Sequence, residues 1–96
     1  MKKFKLKGKN YFFDYNSASE RKVKLFQELS GDDLYGKQKK IIVEKLWEII
    51  HKNPTIRISR THRDYIFSYH NGTNRDASIN TNSLGRILND YFEGKL

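Results

Sequence analysis

Ile56-Arg57-Ile58-Ser59-Arg60-Thr61-His62-Arg63-Asp64-Tyr65-Ile66-Phe67-Ser68-Tyr69 is the stretch on which the reading of this chain turns. In an extended backbone Ile56 and Ile58 fall on one face, and Arg57 and Ser59 on the other. The polar run 60–63 interrupts this alternation, and Tyr65, Phe67 and Tyr69 resume it. The pattern predicts a β-hairpin over 56–69 with a cationic tip of Arg57, Arg60 and Arg63. No acidic residue lies between Thr55 and Arg63. Three arginines add little to a core but suit phosphate oxygens or guanine edges. The plainer reading is a solvated turn that carries arginine for solubility.

Working outward, 96 residues is the length of one domain, with room for one modest core. The chain holds no cysteine, which excludes disulfides and cysteine-ligated zinc and suits a reducing compartment. The opening Met-Lys-Lys-Phe-Lys-Leu-Lys lacks the apolar run of a signal peptide, and no stretch is apolar enough to span a bilayer. The expectation is a cytoplasmic protein with no membrane contact. The formal net charge is +8, from 19 basic and 11 acidic residues. In a small protein this points to an anionic partner, most often nucleic acid.

Residues 1–9 carry five lysines and no acid. Phe4 and Leu6 alternate with them, and a turn at Gly8-Lys9-Asn10 leads to Tyr11-Phe12-Phe13. This reads as an edge hairpin guarded by lysines, or equally as a basic arm on phosphate. Ser17-Ala18-Ser19-Glu20 has the form of a capping box, and Val23, Phe26 and Leu29 share a helical face, so a helix is expected from there to Gly31. Asp32 to Gly36 reads as a connection. Lys37 to Lys52 is the core helix, with an apolar arc of Ile42, Val43, Leu46, Trp47, Ile49 and Ile50. Lys37, Lys39 and Lys40 open it as candidate phosphate ligands; Glu44 and Glu48 lie on its outer face. Asn71-Gly72 predicts a second hairpin turn, with Arg75 to Ile79 as a third strand, Arg75 being a further candidate nucleic-acid contact. A last helix follows, with Leu84, Ile87, Leu88, Tyr91 and Phe92 on one side.

No phosphate-binding glycine loop, metalloprotease signature or nucleophile elbow is present, so no catalytic residue, metal, cofactor or small-molecule ligand is assigned. His51, His62 and His70 have no ligand spacing. His62, among arginines, reads as a DNA contact, as a base in RNA cleavage, or as an exposed turn residue.

The order of capped helix, short turn, lysine-led helix and basic hairpin over residues 17–70 resembles winged helix-turn-helix DNA-binding proteins. Within that family it resembles the small accessory proteins that mark transfer origins of clostridial conjugative plasmids. The resemblance implies a small single α+β domain, winged-helix-like, with helices packed on an antiparallel hairpin or three-stranded meander. It further implies sequence-specific duplex-DNA binding, transfer-origin or transcription-regulating activity, and a homodimer. Arg57, Arg60, His62 and Arg63 would form the wing that reads bases, since Glu44 and Glu48 disfavour the helix as reader. A competing resemblance is to the α-β-β-β-α order of double-stranded-RNA-binding domains and of RNA-cleaving toxins of that fold. A third expectation is an inhibitor that docks on a host or defence protein.

Overall fold

A computed structural model describes residues 1–72 and 79–96 of the chain. Three strands open it: β1 Lys2–Leu6, β2 Lys9–Tyr15 and β3 Val23–Gln27. They form one antiparallel meander in the order β1-β2-β3, in which Lys2 pairs with Phe13 and Phe13 with Leu25. A short 3-10 turn, Tyr35–Lys37, leads into α1 Gln38–Lys52; α2 Arg60–His70 and α3 Thr81–Phe92 follow. The fold is α+β, with three helices against one three-stranded sheet.

Alternation decides the sheet. Phe4 and Leu6, Tyr11 and Phe13, and Val23 and Leu25 are buried, while Lys3, Lys5 and Lys24 between them are exposed. The lysine-guarded edge hairpin expected at 1–16 is therefore β1–β2. The buried face meets α1 and α3. Phe13, Leu25, Ile42, Leu46, Leu84 and Leu88 are fully buried there. Phe92 of α3 packs on Phe4 and Phe13, with ring centroids 6.2 and 5.9 Å apart. Gln38 is also buried, and its Nε2 donates to the Val23 carbonyl at 3.3 Å, tying the start of α1 to β3. A buried amide without that partner would cost about 1–3 kcal/mol.

Three expectations are corrected. The helix expected from Ser17 to Gly31 is a loop followed by β3. Asn16 Oδ1 accepts from the Ala18 N–H at 3.0 Å, and the Asn16 N–H donates to the Lys22 carbonyl at 2.8 Å, so local hydrogen bonds close a turn where a helix would start. Leu29, placed on the helical face, is 94% exposed, whereas the period-two pair Val23 and Leu25 is buried. The hairpin expected at 56–69 is the loop before α2 and α2 itself. Ser59 caps that helix, its hydroxyl accepting from the His62 N–H at 3.3 Å. The buried residues are the adjacent Tyr65 and Ile66, while Phe67 is 54% exposed, a pattern that alternation cannot produce. Asn71-Gly72 closes α2 with Gly72 at φ 69, since glycine accepts the left-handed conformation that ends a helix as readily as the one that turns a hairpin. The expected third strand from Arg75 lies, but for Ile79, outside the described residues. With strands first and helices after, the described residues also lack the α-β-β-β-α order.

α3 lies close to the sheet at Gly85, where an added Cβ would stand 2.4 Å from Val23 Cγ2. Gly85→Ala should therefore destabilise the fold by about 1–3 kcal/mol in urea unfolding. The same change in a Val23→Ala background should cost clearly less, because the obstructing methyls are gone.

Candidate nucleic-acid interface

The loop from Pro54 and the first turn of α2 enclose a shallow groove of about 730 Å³, open to solvent. Arg57, Arg60 and Arg63 all line it, with Asp64 as its one carboxylate among the described residues. Local structure explains the gathering. Ser59 starts α2, so Arg60 and Arg63 lie one turn apart on the same side, and Arg57 reaches the groove from the loop. Arg57 and Arg60 are exposed, and among the described residues neither makes an ion pair. Arg63 is half-buried. It donates from Nη2 to the Ile56 carbonyl, and its buried Nε has no partner among the described residues, so it braces the loop.

His62 has a different task. Its Nδ1 contacts Ser59 Oγ, the same oxygen that accepts its backbone N–H. The imidazole thus belongs to the helix cap.

The lysines at the start of α1 separate onto two surfaces. Lys37 and Lys40, three residues apart, line a cleft of about 300 Å³ with Lys7 and Lys9 of the β1–β2 turn. Lys39 points elsewhere. Its ammonium stands 5.0 Å from the Tyr65 ring centroid, and it lines a cleft of about 630 Å³ with Arg21 and the first residues of α3. Lys37 and Lys40, Lys39, and the three arginines thus line three separate clefts. Arg75 lies outside the described residues.

Glu44 and Glu48, which would repel phosphate, are both neutralised. Glu44 meets Lys7 at 3.3 Å, and Glu48 meets Lys45 at 2.9 Å and Lys52 at 3.5 Å. The hydrogen bond from Lys45, then the charges of Lys45 and Lys52, hold the Glu48 carboxyl below its ordinary range. Arg21 and Asp33 pair through two contacts of 2.6 Å, which raises the guanidinium and lowers the carboxyl, and the Arg21 guanidinium lies 4.2 Å from the Tyr35 ring. Two features were not legible in the sequence. One is the joining of Lys7 and Lys9 to Lys37 and Lys40. The other is a cross-strand pair of half-buried phenylalanines, Phe12 and Phe26, on the face of the sheet away from the helices. The alternation of β2 marks Phe12, but Phe26 carries the helical spacing as well.

Among the described residues no three His, Cys, Asp or Glu side chains gather as metal ligands, and no helix is long and apolar enough to cross a membrane. The chain matches no protein-family model, no curated protein and no solved structure.

Two outcomes follow from the geometry. Ser59→Ala should cost about 1 kcal/mol in urea unfolding, because the α2 cap is lost. The carboxyls of Glu28, Asp33 and Glu48 are held low by Lys3, Arg21 and Lys45 respectively. Their contribution is therefore present at neutral pH and lost as the pH falls below the ordinary carboxylate range, where the unfolded chain takes up protons first. Thermal melts should fall across that window, and Asp33→Asn should flatten the fall while lowering the neutral-pH midpoint.

Proposed function

We propose that this protein binds duplex DNA, with sequence preference, through the groove lined by Arg57, Arg60 and Arg63. The observation that carries this reading is that three guanidiniums converge on one open groove beside a single carboxylate among the described residues, while Glu28, Asp33, Glu44 and Glu48 elsewhere are already paired. Guanidinium is the side chain that binds phosphate in a fork and reads guanine through its paired acceptors. The loop and first turn of α2, and not a β-hairpin wing, are the reading element in this proposal.

The roles divide by freedom. Arg63, fixed to the Ile56 carbonyl, is placed for a backbone phosphate and sets register. Arg57 and Arg60, exposed and in no ion pair among the described residues, reach base edges. Asp64 disfavours a phosphate at its own position and accepts from a cytosine amino group. Contacts of this kind release counterions, so affinity should fall steeply with salt.

Arg57→Gln and Arg60→Gln should each cost about 1–3 kcal/mol against a duplex selected from a random pool, and should narrow the gap between selected and random duplexes. Lys39→Gln, which faces Tyr65 in a separate cleft, should leave that gap unchanged. Gel-shift titration at two salt concentrations measures both. Equal losses for all three variants on selected and random DNA would refute base reading by this groove.

A further inference from the structure

The helices cover one face of the sheet and leave the other open. On the open face Phe12 of β2 and Phe26 of β3 stand directly opposite each other in register, at the centre of the meander. Both are half-buried, and among the described residues no ring contact joins them, so each presents its own ring. Lys3 is the third member of the row; its ammonium lies 5.9 Å from the Phe12 ring centroid and 2.6 Å from Glu28. Lys5, in the row on one side, and Lys24, in the row on the other, are exposed and take part in no ion pair among the described residues. The acids of this face are Glu28, which Lys3 engages, Asp14, the register partner of Lys24, and Asp33, which bridges to Phe26 and is held by Arg21.

We infer that this open sheet face binds single-stranded nucleic acid, with unpaired bases stacked on Phe12 and Phe26 and phosphates beside Lys5 and Lys24. Two apolar rings at the centre of an otherwise polar sheet face gain nothing from the core. A base gives each ring a planar partner, and the flanking ammonium groups match the charge of the strand that carries it. A duplex cannot use this surface, since its bases are stacked and paired inside the helix. The inference goes beyond the duplex-binding groove: it concerns a different surface and a different form of the polymer.

Fluorescence anisotropy with a labelled thymidine oligomer of about twelve nucleotides, a length within the usual site sizes, tests it. Phe12→Leu and Phe26→Leu keep apolar bulk but remove the ring; each should weaken binding roughly tenfold, with unchanged circular dichroism. Should a leucine variant fail to fold, Lys5→Gln/Lys24→Gln, which touches no core residue, should lower the slope of log affinity against log salt by about 1.4. None of these variants should alter binding to the selected duplex, and Arg57→Gln should not alter binding to the oligomer. No binding of the oligomer by the intact chain, or binding that neither the leucine nor the lysine variants change, would overturn the inference while leaving the duplex reading to its own test.

Discussion

The molecule depends on the burial of one helix. In α1, Ile42, Val43 and Leu46 are fully excluded from solvent, and Ile41, Ile49 and Ile50 nearly so. The helix packs against α2, α3 and β3 together. Truncating any one large aliphatic side chain here would cost about 2–5 kcal/mol, against a total stability of roughly 5–15 kcal/mol for a domain of this kind. A helix so committed to the interior has little surface left for a partner. Its two acidic residues, Glu44 and Glu48, are held by Lys7, Lys45 and Lys52. Charge available to an external anion is therefore displaced away from the middle of α1.

That displacement separates cations that neutralise from cations that remain free. Surface ion pairs contribute little stability, about 0–1 kcal/mol each, but they remove charge from the field that a ligand meets. Lys3, Lys7, Arg21, Lys45 and Lys95 each have a carboxylate within 4 Å. Among the described residues Arg57 and Arg60 do not, and they share their groove with Arg63. The groove thus gathers part of the excess of the +8 chain where local structure brings residues from the loop and the α2 turn together.

The sequence carried some of this plainly and hid the rest for physical reasons. α1 and α3 were legible because their apolar residues repeat at helical spacing over three turns or more, and β1–β2 because lysines alternate with aromatic and aliphatic residues. β3 was not, because Val23, Phe26 and Leu29 fit a helix as well as Val23 and Leu25 fit a strand. Pairing with β2 and the Asn16 turn decide between them; the first is non-local in origin and the second too short to weigh. α2 was hidden in the same way: Tyr65, Phe67 and Tyr69 mimic a strand, while the deciding signal is a single capping serine. The arginine cluster survived this error, because spacings of three residues bring side chains together on a helical turn as they do around a tight tip. The lysine cluster did not, because Lys39 is turned about 100° from each neighbour, away from Lys37 and Lys40.

The central claim is that duplex DNA meets the protein at the α1–α2 junction. Amide chemical-shift mapping of the isotope-labelled chain during addition of a selected duplex tests it most directly. The account predicts that the largest shifts fall on Thr55 to Asp64, with the amides of β1 and of mid-α1 nearly still. Shifts confined to other surfaces, with Arg57, Arg60 and Arg63 unmoved at saturation, would contradict it.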